Sequence, residues 1–281
     1  MLNGRRNDDP IVLHDRRIDI NTHREEMGNK LKFIGIIPAR YASSRFPGKP
    51  LATIGGMMMI ERVWRQVSKV LDSVWVATDD ERIYDAVKAF SGNVVMTSTE
   101  HRSGTDRCYE AYCKINGGED VIINIQGDEP FIQESQLKAI MACFDDETAD
   151  IATLVRPFDA SRGYEALADC NTPKVVLDND MNALYFSRSV IPFVRNAESS
   201  EWASRTQYYT HVGMYAYRSA TLAEITRLPQ STLELAESLE QLRWLQNGYR
   251  IKAGVTDCET IGIDTPEDLK NAELMLQNNT K

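Results

Sequence analysis

The chain has 281 residues, 42% of them hydrophobic and 26% charged, proportions of an ordinary globular protein long enough to bury a sizeable core. Its formal net charge of -9 opposes bulk attraction to nucleic acid or an anionic membrane, so an anionic ligand has to be held by a local cluster of Arg and Lys. The five cysteines form no CxxC pair and the four histidines lack metal-ligand spacing, which argues against a disulfide framework or a zinc site and for a reducing, cytoplasmic compartment with oxygen ligands for any metal.

Residues 1–32 are dense in charge and lack the continuous apolar core of a signal peptide, and no stretch approaches the ~20 apolar residues of a membrane span. By composition they read as a flexible amino-terminal extension, followed by a single domain over 33–281. From Phe33 short apolar runs alternate with amphipathic helices, the pattern of βαβ units. Strands are predicted at Phe33–Ile37, Val74–Ala77 and Val121–Ile125, near-continuously hydrophobic as in a parallel sheet covered on both faces. Ile60, Val63, Trp64, Val67 and Leu71 form one helical stripe, and Leu137, Ile140, Met141 and Phe144 another.

Over about 170–218 the texture changes to apolar runs flanking Asp178-Asn179-Asp180, which predicts a hairpin-bearing insertion. One helix is then expected through Leu235, Leu239, Leu242 and Leu245, a strand near Tyr249–Ala253, and a last helix from Thr265. In that last helix Thr265, Pro266 and Asp268 fit N-cap, N1 and N3, which leaves the Asp264 carboxylate without a capping task. The fold class expected is α/β, with a mostly parallel, Rossmann-like sheet flanked by helices.

Ligands of open α/β sheets bind beyond the carboxyl ends of the strands, and three polar segments follow those ends here. After the first strand, Arg40, Arg45 and Lys49 lie on a loop of small residues where cations and backbone amides can converge on a triphosphate; a solvated basic loop is the plain alternative. Gly48-Lys49 is followed by Pro50, so this is no Walker A motif, and GxGxxG is absent. After the third strand, Gln126-Gly127-Asp128 reads either as a turn or as a carboxylate projecting to Mg²⁺. Asp264, before a helix start, reads either as an acid held by the helix dipole or a hydrogen bond or, paired with Asp128, as a second oxygen ligand, whereas Asp79 and Asp80, at a strand-to-helix junction, read as cap residues. Ser103 or Thr105 caps the next helix or faces a nucleoside, and His211 reads as a strand histidine or a substrate contact.

Taken together, Ile36–Leu51, His101–Thr105, Gln126–Pro130, Ala183–Arg188, Leu239–Arg243 and Gly262–Leu269 resemble the 3-deoxy-manno-octulosonate cytidylyltransferases, the CMP-Kdo synthetases, in order from residue 33 to about 275. The resemblance implies attack of the anomeric C2 hydroxyl of Kdo on the α-phosphate of CTP, giving CMP-Kdo and pyrophosphate for lipopolysaccharide synthesis. It implies catalytic roles for Arg40, Lys49 and Asp128, with triphosphate held by Arg40, Arg45 and Lys49 and cytidine by Ser103 and Gly104. Gln126, Arg188, His211, Tyr215, Glu240 and Gln241 match positions around the sugar acid, and Asp128 with Asp264 would bind Mg²⁺, which activates the hydroxyl without a dedicated side-chain base. A homodimer contact at the insertion is implied as well. The chain departs from the family pattern in its amino-terminal extension, at Met57-Met58-Met59 and at Asn171-Thr172-Pro173-Lys174.

Overall fold

The structure is a computed structural model and describes residues 30–43, 45–259 and 261–279. Residues 1–31 and 32–281 separate as two units; of the expected extension, residues 1–29 lie outside the described residues. Among the described residues no helix is long and apolar enough to cross a membrane.

The first half of the second unit follows the predicted alternation. β1 (Phe33–Ala39) leads through a loop to the short hairpin β2 (Thr53–Ile54) and β3 (Met57–Met58), which contains Met57 and Met58 of the departing stretch; α1 (Met59–Val67), β4 (Ser73–Thr78), α2 (Glu81–Ala89) and β5 (Asn93–Met96) follow. α3 (Gly104–Lys114), β6 (Val121–Asn124), α4 (Glu134–Ala142) and β7 (Ile151–Pro157) complete that half. Ile34, Ile36, Ile37, Val76, Ala77, Ile122 and Ile123 are fully buried, because crossover helices cover both sheet faces and leave no polar side for these strands to show. The predicted stripe of α1 is the face that packs, with Ile60, Val63 and Val67 fully buried.

The second half holds α5 (Gly163–Leu167), the hairpin β8 (Lys174–Leu177) and β9 (Ala183–Ser187), α6 (Trp202–Arg205), β10 (Tyr209–Arg218), α7 (Ser219–Ile225), α8 (Thr232–Glu237), α9 (Gln241–Gln246), β11 (Ile251–Val255) and α10 (Pro266–Asn279). Among the described residues, nine strands form one sheet whose main path is β11-β7-β10-β6-β1-β4-β5, with β8 pairing β10 and β9 pairing β8. β1 pairs parallel with β4 and β6, as β4 does with β5 and β7 with β11. β10 runs antiparallel between β6 and β7.

Two predictions need correction. Residues 209–218, expected inside the insertion, form a strand in the middle of the main sheet; Met214–Tyr217 are all buried, since an inserted antiparallel strand is covered on both faces like its parallel neighbours. The hairpin itself is present at β8–β9, with Asp178 accepting from the amides of Asp180 and Asn182 as its turn residues predicted. The single helix through residues 235–245 is two helices, broken at Ser238, which adopts a left-handed conformation with φ 50°. Leu239 and Leu242 turn inward while Leu235 stays exposed.

Candidate active site

The carboxyl ends of β1, β4, β6 and β7 lie along one edge of the sheet, and the amino-terminal end of antiparallel β10 joins them there. Gly127 makes the closest approach at this edge. A Cβ built on it would sit 2.9 Å from the Pro38 carbonyl oxygen, so only glycine lets the turn after β6 pack against the end of β1. That packing carries Asp128 to the basic loop. Gly48, at φ 70°, turns the loop into the short helix that begins at Lys49.

Lys49 Nζ lies 2.7 Å from Asp128 Oδ2 and 3.1 Å from Asp264 Oδ1, and an Arg45 guanidinium nitrogen lies 3.0 Å from Asp264 Oδ2. Burial disfavours the Lys49 charge, but hydrogen bonds and charge from Asp128 and then Asp264 outweigh it, and its pKa is raised. The two acids meet because the Ile263 amide donates to the Asp128 carbonyl at 2.9 Å, and Ile263 is fully buried with Ile54, Met59 and Ala272. The capping logic at Asp264 holds. The amides of Asp264 and Thr265 donate to Asp268 Oδ2, while the Asp268 amide donates to Thr265 Oγ1. Asp264 is left free to meet cations.

Arg40 is separate from that cluster and faces Asp79 at 3.9 Å. Here the cap reading divides: Asp80 is the N-cap of α2, accepting from the Arg82 amide at 2.9 Å, whereas Asp79 pairs with the buried Arg107 at 2.6 Å. Ser103 caps α3 by accepting from the Asp106 amide. Its neighbour Gly104 packs against Pro38, the ring carbon lying 3.4 Å from a built Cβ, so the start of α3 adjoins the end of β1. Thr105 Oγ1 donates to Glu240 Oε2 at 3.0 Å, tying this helix start to Glu240 and Gln241 at the start of α9.

Farther along the edge, β6 stops at Asn124 while β10 continues and pairs with β8. Gln126 Nε2 bridges the gap by donating to the Gly213 carbonyl at 2.9 Å. Tyr215 is the cross-strand partner of Asn124. Tyr215 OH, Gln241 Nε2 and Asn124 Oδ1 are buried with no hydrogen-bond partner among the described residues, a costly state that a hydroxylated ligand can relieve. Arg188 is engaged elsewhere, its guanidinium donating to the carbonyls of Glu237, Cys170 and Ser238, which makes it a brace between the hairpin and α8. Asn124 and Glu129 escaped the sequence reading: Asn124 sits in an apolar strand, and Glu129 reads as part of a turn. Burial first, then the Asp128 charge, pushes the Glu129 carboxyl up to about 7.

His211 packs its ring edge-to-face on Phe186 and against Tyr215, and its Nε2 lies 2.9 Å from Thr153 Oγ1. That enclosure lowers its pKa to about 4. The unfolded chain therefore takes up a proton between about pH 6.5 and 4 that the folded chain refuses, and stability present above 6.5 is lost as pH falls toward 4. Because one side of His211 borders a cavity, the loss is at most about 3 kcal/mol. His211→Gln is expected to flatten this part of the stability–pH curve in denaturant titrations; an unchanged slope would show that His211 is not excluded from protonation.

Among the described residues no group of three or more His, Cys, Asp or Glu side chains forms a metal cage. Two carboxylates converging on one ammonium nevertheless suit a hard cation such as Mg²⁺, which commonly takes one or two protein carboxylates and completes its shell with phosphates and water. Both carboxylates are paired with Lys49 Nζ here.

A family model described as Cytidylyltransferase matches residues 34–252. The 3-deoxy-manno-octulosonate cytidylyltransferase of Bacteroides thetaiotaomicron is 65% identical over 248 residues, covering 88% of this chain and 99% of that protein. The 8-amino-3,8-dideoxy-manno-octulosonate cytidylyltransferase of Shewanella frigidimarina is 43% identical over 249 residues, again covering 88% of this chain and 99% of that protein. A solved structure of CMP:2-keto-3-deoxy-manno-octonic acid synthetase complexed with CTP superposes with a TM-score of 0.80 at 41% identity, covering 88% of this chain and 99% of that one.

Proposed function

The chain belongs to the 3-deoxy-manno-octulosonate cytidylyltransferase family, and we propose that it carries out that family's reaction, transfer of CMP from CTP to Kdo, at the edge where Asp128, Asp264 and the Arg40–Lys49 loop meet. The observation that carries the site is the Asp128–Lys49–Asp264 cluster, in which two acids far apart in sequence share one cation. Asp128 and Asp264 would hold Mg²⁺. Bound there, the metal would offset charge developing on phosphate oxygens and lower the pKa of the attacking hydroxyl.

The protein's own groups do the positioning. The Arg40 and Arg45 side chains are 48% and 65% exposed and can bind phosphate oxygens with little desolvation cost, while Lys49 exchanges carboxylate partners for the triphosphate. The start of α3 at Ser103 and Gly104 receives the cytidine beside the end of β1. Toward β10, the unpartnered Tyr215 OH, Gln241 Nε2 and Asn124 Oδ1 take the sugar hydroxyls, beside Gln126, Glu240 and His211. Arg188 acts on the sugar only through the brace it makes with α8. A homodimer would form through the hairpin segment, where Leu184 and Phe193 are exposed, since large apolar side chains on a surface suit a partner.

Pyrophosphate release from CTP with Mg²⁺ and Kdo is the direct test, and turnover dependent on all three is expected. Release with another acidic sugar and none with Kdo would move the substrate. CTP binding without turnover on any sugar acid would make the protein a silent nucleotide-sugar binder.

A further inference from the structure

Arg40 and Asp79 leave the sheet side by side. Ala39 and Thr78 are partners in the parallel register of β1 and β4, and Arg40 and Asp79 are the next residue in each segment. Arg40 Nε lies 3.9 Å from Asp79 Oδ2, an ion pair too long for a direct hydrogen bond. Among the described residues Arg40 makes no other ion pair or hydrogen bond, so the two terminal nitrogens of its guanidinium, the fork that suits phosphate oxygens, are free.

Asp79 is fixed from behind. Its side chain is 11% exposed, and the same Oδ2 lies 2.6 Å from Nη2 of the enclosed Arg107 in α3. The other terminal nitrogen of Arg107 donates to Thr97 Oγ1, and the Thr97 amide and hydroxyl both donate to the carbonyl of Thr78, the residue before Asp79. Asp80 does not compete for Arg40, because the Arg82 amide and guanidinium take both of its oxygens.

The other two cations of the loop are placed differently. Arg45 and Lys49 lean on Asp264 and Asp128, whereas Arg40 has an acid of its own outside that pair. Arg107, so close to the shared oxygen, offsets part of the pull that Asp79 exerts on Arg40. The acid therefore orients Arg40 without sequestering it.

We propose that Asp79 is a positioning residue for the nucleotidyl transfer, aiming the Arg40 guanidinium at the triphosphate. The inference rests on the reaction proposed above, with Arg40 on phosphate, and adds a residue that touches neither substrate. Without the acid, Arg40 still attracts CTP, but a guanidinium that is not held in place meets the charge developing on phosphate oxygens less often. Loss of Asp79 also leaves the phosphate site one positive charge richer, so CTP binding does not weaken.

The test measures kcat and KM for CTP, with Kdo and Mg²⁺ saturating, for the native chain, Asp79→Asn, Arg40→Ala and the two substitutions together, beside a thermal melt of each. Asp79→Asn is expected to lower kcat by about tenfold while KM for CTP stays the same or falls. With Arg40→Ala already in place it should lower kcat by no more than about twofold, since the group it acts through is gone. Asp79→Leu with Arg107→Met leaves no uncompensated buried charge and should show the same loss of kcat in a chain that melts closer to the native one. Equal losses with and without Arg40, a raised KM for CTP with kcat unchanged, or native kcat in either Asp79 variant overturns the role of Asp79 and leaves the reaction standing. Absence of turnover by the native chain would instead sink the reaction, and the proposal with it.

Discussion

Asp128→Asn is expected to lower kcat/KM by about a thousandfold and to leave the protein folded. The substitution is nearly isosteric and keeps one oxygen, but it removes the negative charge that, in the proposed reaction, would hold a hard cation at the end of β6. Neither the backbone bond from Ile263 to the Asp128 carbonyl nor the close approach of Gly127 to Pro38 involves the carboxylate, so the loop keeps its path. The Asp128 side chain is 32% exposed, and the lost ion pair with Lys49, screened by solvent, costs roughly 1 kcal/mol or less. Steady-state pyrophosphate release across a Mg²⁺ titration, read beside a thermal melt, separates the two effects. Near-native turnover at limiting Mg²⁺ would remove Asp128 from the metal site, and a collapsed melt would make its role structural.

For stability, the largest effect is expected at Arg107. Its side chain is 1% exposed, it pairs with Asp79 at 2.6 Å, and a second nitrogen donates to the buried Thr97 hydroxyl at 2.5 Å. Arg107→Met fills much of the same volume but strands a largely buried Asp79 with only the more distant Arg40 as counter-charge. Removing one partner of a buried pair typically costs about 3–5 kcal/mol, which in a domain of this size corresponds to a Tm lower by roughly 10 °C. Replacing both partners, Arg107→Met with Asp79→Leu, should recover part of the loss, because no uncompensated charge then remains. A Tm within 2 °C of the native value for Arg107→Met, on a scale where 1 kcal/mol moves it by about 2–4 °C, would show the pair to be energetically idle.

Local patterns account for what was legible beforehand. β1, β4 and β6 appear as apolar runs because a strand covered on both faces has no polar side to interrupt it. Asp264 could be singled out because Thr265, Pro266 and Asp268, its immediate neighbours, satisfy the helix start without it, and the observed bonds to Asp268 do so. β10 was misplaced for the converse reason: its composition resembles the hairpin before it, and nothing within the segment tells that β6 and β7 lie on either side. Asp79 read as a cap because its partner, Arg107, lies in a different helix; the Ser103 cap was one of the two readings its segment offered, whereas the bracing task of Arg188 is one that motif matching does not reveal.

The amino-acid sequence by itself determined the α/β class and the family, and pointed to the carboxyl edge as the place of the proposed site, since these depend on periodicity and on motifs in order along one chain. Only the tertiary structure decided that Asp128 and Asp264 share Lys49, and that the Tyr215 hydroxyl, Gln241 Nε2 and Asn124 Oδ1 are buried with no hydrogen-bond partner among the described residues. Each of these is a contact between residues distant in sequence, made when the sheet brings strand ends together and water is excluded from between them. Charge and hydrogen-bonding need at such a place depend on what packs around the group, a quantity no local pattern contains.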